Sequence, residues 1–248
     1  MFFQISQILR AANIANYRMA ADPTGENGWL DLVDEASRTA GDIEQRIAVM
    51  ELYKRATSAE PWSKKLWLAY CEFVWSLYTD CQNGDAGWPE DEQLMGQELF
   101  SAETAMAAWQ EGYQATMYRI NDSHEIWNRW ISIDQERLSN LPNSEHIDRI
   151  RTLFTDRLQL PHSTWEGTFQ MFSTFVTKFE DPAVYEERMI RGRAIGRIAR
   201  ELYDVREERE VNLRNVRNMR DRTKCHSFVG TSVEKRILRG ALPLMCNC

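Results

Sequence analysis

The chain has 248 residues, 43% of them apolar, with nine tryptophans but only 12 glycines and 7 prolines, which is enough to bury a large core and favours helix. It contains no run of about 18 apolar residues, so it lacks a spanning segment, and Met1 to Ile8 has neither a basic flank nor an unbroken apolar stretch, which argues against a secretory signal. The formal charge of −7 is uneven: residues 1–182 carry 15 Lys and Arg against 28 Asp and Glu, and residues 183–248 carry 15 against 9, so the body repels phosphate backbones while the C-terminal part is basic.

In chain order, residues 4–18 place Ile5, Ile8, Leu9 and Ala12 at amphipathic spacing. Asp22-Pro23-Thr24-Gly25 then reads as a turn, because Pro fixes φ and Gly tolerates positive φ. A helix pair follows, with one helix around Trp29 to Arg38 and a second around Asp42 to Thr57 whose buried stripe is Ile43, Ile47, Met50, Leu52 and Tyr53. Pro61 closes it. The next helix begins near Ser63 and carries Trp67, Tyr70, Phe73, Val74 and Leu77 on one face.

Residues 79–97 show no helical period and are rich in Gly and acid, which predicts an insertion loop; Trp88 in its middle is a candidate partner anchor. A helix from about Glu98 to Met117 turns Phe100, Met106, Trp109 and Tyr113 inward. Asp122 or Ser123 caps the next helix, which Leu141-Pro142-Asn143 ends. Its partner carries Ile147, Ile150, Leu153, Phe154 and Leu158 and is closed by Pro161. A fourth pair opens at Phe169, and Asp181-Pro182, an N-cap followed by Pro at the first helical position, launches a long charged helix from about Ala183 to Arg222.

The first helices of these pairs share an aromatic triplet: Trp67, Tyr70 and Phe73; Trp127, Trp130 and Ile133; Phe169, Phe172 and Phe175; with a weaker copy at Trp29 and Leu32. Leading aromatics are separated by 38, 60 and 42 residues, the period of a helical repeat array. One helix pair cannot bury its own apolar face, so neighbouring pairs stack and the aromatics fill the seams. The expected fold is therefore all-α, an α-α superhelix of helical repeats over residues 1–222.

The second helices carry a further signature, Tyr53-Lys54-Arg55-Ala56 ahead of Pro61 and Phe154-Thr155-Asp156-Arg157-Leu158-Gln159-Leu160-Pro161. Together with the Trp-x-x-Tyr or Trp-x-x-Trp pattern, this resembles the half-a-TPR (HAT) repeat of RNA-processing scaffolds over roughly residues 29–215. Leu66 to Phe73 with the acidic loop behind it, and Arg157 to Phe175, look most similar to the U4/U6 snRNP recycling splicing factors in their filamentous-fungal form. The resemblance implies a right-handed superhelix of about four to five helix pairs. It also implies a nuclear, noncatalytic scaffold for spliceosomal or other RNA-processing proteins; the runner-up is a HAT subunit of the 3′-end cleavage machinery. It leaves a homodimer open. The RNA recognition motifs that follow the array in full-length recycling factors have no counterpart here, since no Lys/Arg-Gly-Phe/Tyr-Gly/Ala-Phe strand occurs.

Several residue sets have the chemistry of a site. Asp31, Asp34 and Glu35 sit one turn apart, a Mg²⁺ spacing that needs a second facing acidic cluster to make a helical Mg²⁺-dependent enzyme; none stands out, so they read as a solvated face. Cys225-His226 with Cys246 and Cys248 lacks knuckle spacing for zinc. Five cysteines without framework spacing suit a reducing, intracellular compartment. His124 and His162 lie beside turns with no nucleophile motif around them, and neither Gly-x-Ser-x-Gly nor a P-loop occurs. No catalytic residue, cofactor or metal is expected.

The remaining candidate is basic. Arg193, Arg197 and Arg200 fall at i, i+4 and i+7 beside an apolar stripe of Ile195, Ile198, Leu202 and Val205, which predicts an arginine ridge next to a packing face. An acidic partner or weak RNA contact is its expected use, unless Glu201, Asp204, Glu207 and Glu208 pair with it locally. From Cys225 to Cys248 the helical period is lost, which predicts an irregular tail over 223–248 and a truncated or mis-spliced product of a longer gene.

Overall fold

The computed structural model describes residues 22–224, and every regular element among them is helical. The helices are α1 (Gly25–Thr39), α2 (Ile43–Ala59), α3 (Lys64–Gln82), α4 (Glu90–Leu99), α5 (Ala102–Thr116), α6 (His124–Asn140), α7 (Ser144–Gln159), α8 (Trp165–Phe179) and, after a 3-10 turn at Pro182–Val184, α9 (Tyr185–Lys224). None is long and apolar enough to cross a membrane. The amphipathic segment 4–18, the Cys225, His226, Cys246 and Cys248 set and the tail beyond Lys224 lie outside the described residues. The chain divides into a unit ending at Glu201 and a second beginning at Leu202.

Local chemistry sets the helix ends. Gly25 has a φ of 80°, a left-handed conformation only glycine takes cheaply, and it turns the chain into α1. Asp42, Ser63, Ser101 and Asn143 each accept a backbone N–H in the first turn of α2, α3, α5 and α7, satisfying donors that the helix leaves unpaired. Asp181 does the same for the 3-10 turn, with Pro182 at its first position. Ser123 occupies the cap position of α6 but does not cap it. Its hydroxyl instead accepts from Arg157 Nη2 at 3.0 Å.

Within the first unit, packing largely follows chain order: α1 meets α2 and α3, α3 meets α5 and α6, and α5, α6 and α7 each meet the next, while Gly192 and Gly196 of α9 lie against the Phe169 and Trp165 rings of α8. Two large apolar clusters result, one over α1, α2, α3 and α5 and one running from α3 through α9. Trp29, Trp127, Trp130, Ile133, Phe172 and Phe175 are buried in them. Trp67 is half-buried and packs against both, with its indole N–H donating to the Pro61 carbonyl at 2.9 Å.

Two expectations need correction. The segment 79–97 is not one irregular loop: α3 continues to Gln82, and Glu90–Leu99 forms α4, leaving only 83–89 outside helix. Glu90, Asp91 and Glu92 load the first turn of α4 with acid, which the helix dipole favours. The only buried residue of α4 is Gly96, so no apolar period advertises it. A Cβ on Gly96 would lie 2.9 Å from both Cys81 Cβ and a Trp88 ring carbon.

Helix α9 also differs from its sequence expectation. Its packing face is not Ile195, Ile198, Leu202 and Val205. Met189, Gly192, Gly196 and Ala199 are buried, whereas Ile198 is 58% exposed and Leu202 and Val205, in the second unit, are exposed as well. The reason is steric complementarity. The large rings belong to α8, so the partner helix contributes small residues: a Cβ on Gly192 would lie 3.0 Å from Phe169, and one on Gly196 only 1.7 Å from Trp165.

Trp165 is fixed there, since it is buried, stacks on Phe169 at 5.3 Å and donates Nε1–H to the Leu158 carbonyl at 2.9 Å. Gly196→Ala is therefore expected to destabilise by about 1–3 kcal/mol through overpacking, despite alanine's better helix propensity. Gly167→Ala, on the open face of α8 where a Cβ meets nothing within 4 Å, should stabilise by about 0.5–1 kcal/mol. Thermal denaturation of both variants checks the pair; equal and opposite signs reversed from these would discard the glycine-to-ring contact.

Candidate interaction surface around the last described helix pair

The arginine ridge is held against α8. Arg200 Nη1 meets Glu166 at 2.8 Å and its guanidinium lies 4.5 Å from the Trp165 ring centroid. Arg193 lies 5.6 Å over Phe169. Both thus use the rings that the α9 glycines pack against, a geometry in which guanidinium stacking retains its charge at the surface. Arg197 is exposed and has no ion-pair partner among the described residues. The pairing acid for Arg200 comes from the neighbouring helix, not from Glu201 or Asp204.

Trp88 is half-buried. It meets Phe100 edge to face at 6.5 Å, and the Arg46 guanidinium sits 3.8 Å over its ring. The loop that carries it is anchored further by Glu92, which accepts from the Ile43 N–H at 3.1 Å, and by Gln97, which donates to the Cys81 carbonyl at 2.8 Å. Trp88 therefore folds onto its own scaffold. Among the described residues the most exposed aromatics are Trp62 and Tyr118, 67% and 68% accessible, on turns joined by Arg119 Nη1 donating to the Trp62 carbonyl at 3.1 Å.

A cleft of about 210 Å³ opens between α7 and α9. Leu158 and Phe172 form its floor, Gly192 and Ile195 one wall, and Arg151, Arg188, Arg191 and Asp156 its rim. Glu180 at the end of α8 organises it: its almost buried carboxylate accepts from Arg151 Nε at 2.6 Å and from Arg188 Nε at 3.2 Å. Burial pulls the Arg151 guanidinium down, but Glu180 and Asp148 outweigh it and raise its pKa. Arg191 is exposed and makes no ion pair among the described residues. Nothing in the sequence pointed to this cleft, because Arg151, Glu180 and Arg191 are far apart in the chain and carry no shared period.

Beneath the α7–α8 connection lies a buried polar set. Arg157 is fully buried, hydrogen-bonded to Ser123 and flanked by the Tyr113 and Trp127 rings at 5.6 and 5.8 Å. Among the described residues no carboxylate pairs with it, and burial lowers its pKa. His162 is buried beside it, with Nε2 within 3.0 Å of Thr168 Oγ1. Burial first, then the Arg157 charge and that of His124, drives the His162 pKa down to about 3. His124 and His162 thus belong to packing at the α6–α8 junction.

Asp31, Asp34 and Glu35 are exposed, with Glu35 paired to Arg38. Among the described residues no three ligating side chains converge as a metal site requires. Cys71 and Cys81 are free, buried thiols, and burial raises the pKa of each. Compared with protein-family models, curated proteins and solved structures, the chain matches none.

Proposed function

We propose that this chain is a noncatalytic helical-repeat scaffold that binds protein partners in nuclear pre-mRNA splicing, in the manner of the HAT region of a U4/U6 snRNP assembly and recycling factor. The observation that carries the reading is a recurrence at the motif positions themselves. Arg55 lies 5.9 Å over Trp29 and Arg157 lies 5.8 Å over Trp127. In each pair an arginine of the second helix meets the leading tryptophan of the first, so the two signatures describe one structural unit used twice. Packing in chain order within the first unit supports the further step to a right-handed superhelix of HAT pairs.

A scaffold of this kind offers surface, not chemistry. Its charged groups include the two Arg-over-Trp pairs, a buried His held neutral and ion pairs between α3 and α6, Arg129 to Glu72 at 2.7 Å and Lys64 to Glu125 at 2.6 Å. Affinity purification with the full chain as bait in nuclear extract tests the reading. Enrichment of U4/U6 snRNP proteins is the expected result. Enrichment of 3′-end cleavage factors would transfer the chain to that machinery, and enrichment of neither would end the RNA-processing assignment.

A further inference from the structure

We propose that the cleft between α7 and α9 is a docking site for an acidic amphipathic helix of a partner protein, which seats one apolar side chain on Leu158 and Phe172 and sets a carboxylate against Arg191. The proposal rests on the scaffold reading and gives it a partner chemistry.

Three observations select this occupant. The first is size. An apolar cavity of about 150 Å³ accepts benzene, so the 210 Å³ cleft has room for one side chain of leucine or phenylalanine size. The second is register. Arg191, Ile195 and Ile198 fall at i, i+4 and i+7 on α9, and Ile198 is 58% exposed. A segment anchored in the cleft therefore continues onto Ile198 with the one-turn spacing of a helix.

The third is charge. Arg151 and Arg188 share Glu180, and Arg151 also holds Asp148 at 2.6 Å, so these two are committed within the protein. Arg191 is the rim cation left for a ligand. It stands just beyond residues 1–182, which carry 28 acids against 15 bases. An acidic segment is repelled by that body and attracted to the basic helix, which favours productive encounter at this place. The apolar floor and Asp156 on the opposite rim disfavour a phosphate backbone, so RNA is the competing outcome that the test must exclude.

The experiment uses the full chain and three fluorescent probes. One is a 16-residue peptide with leucines at helical spacing flanked by glutamates, the second is its counterpart with lysines in place of the glutamates, and the third is a 12-nucleotide single-stranded RNA. The acidic peptide is expected to bind at least tenfold more tightly than either, with an affinity that falls as salt rises. Arg191→Glu should weaken it at least tenfold, and Ile198→Asp severalfold; both side chains are exposed, so the melting temperature should hold. Equal binding of the acidic and basic peptides, tighter binding of RNA, or an Arg191→Glu affinity equal to that of the unmodified chain would overturn the proposal. Should the cleft fail in this way while nuclear partners are still recovered on the unmodified bait, the scaffold reading stands without it; if no partner is recovered, that reading falls on its own experiment.

Discussion

Trp127→Ala is expected to lower stability by about 3–5 kcal/mol and the melting temperature by about 10 °C. The side chain is fully buried, meets Phe154 edge to face at 5.2 Å and carries the Arg157 guanidinium over its ring. Removing the indole therefore opens a cavity and takes away the aromatic face that a desolvated cation rests on. Trp127→Phe should cost less, because it keeps most of the volume and deletes an indole N–H that has no hydrogen-bond partner. Trp62→Ala, by contrast, removes a side chain that is 67% exposed and should change stability by no more than about 0.5 kcal/mol. Chemical denaturation of the three variants checks the order. Were Trp127→Ala to keep its melting temperature and lose only partner binding, the aromatic triplets would be a recognition surface and not a core.

The triplets were legible because burial and helical period coincide in them. Trp127, Trp130 and Ile133 lie three residues apart on α6, and all three are buried. The same holds for Phe172 and Phe175 on α8. The approximate extents of most helices were legible too, since Pro61, Pro161 and Asp181-Pro182 punctuate the chain where helices end or begin. Where packing relies on small residues, the periodic signal fails. Helix α4 docks through Gly96 and α9 through Gly192 and Gly196, residues that add nothing to an apolar stripe, so apolar period alone predicts no helix at α4 and the wrong buried face on α9. The exposed Ile198 on α9 is then the more informative residue, because apolar periodicity implied a neighbour that no described helix supplies. The α7–α9 cleft was invisible for a different reason: its rim is assembled by Glu180 joining Arg151 to Arg188 across 29 and 8 residues, a tertiary coincidence without local pattern. Arg193 and Arg200 lie over Phe169 and Trp165, rings that could not be inferred without knowing which face α8 presents.

Acidification should destabilise the protein through His162 in particular. Its pKa is about 3 in the native state, against about 6.5 in an unfolded chain. Between these values the unfolded state holds a proton on this residue that the native state does not. The stability tied to the neutral imidazole is therefore complete above pH 6.5 and is lost as pH falls toward 3, at up to about 1.4 kcal/mol per pH unit. The groups facing it explain the sign: burial disfavours the imidazolium, and Arg157 and His124 add positive charge nearby, while Thr168 supplies only a neutral hydroxyl at 3.0 Å. His162→Gln retains a hydrogen-bonding side chain without a titrating proton. Its unfolding free energy should decline less steeply than that of the parent, with a difference of about 3 kcal/mol accumulated by pH 4.5. Asp122, whose pKa is lowered by its hydrogen bond from Arg119, and Glu103, lowered by hydrogen bonds at its helix N-terminus, contribute acid loss of their own, but equally in both proteins. Urea denaturation of parent and variant from pH 7.5 to 4.5 measures the difference. Parallel curves would mean that His162 reaches solvent on protonation, and the junction around Arg157 would then be open to water instead of packed shut.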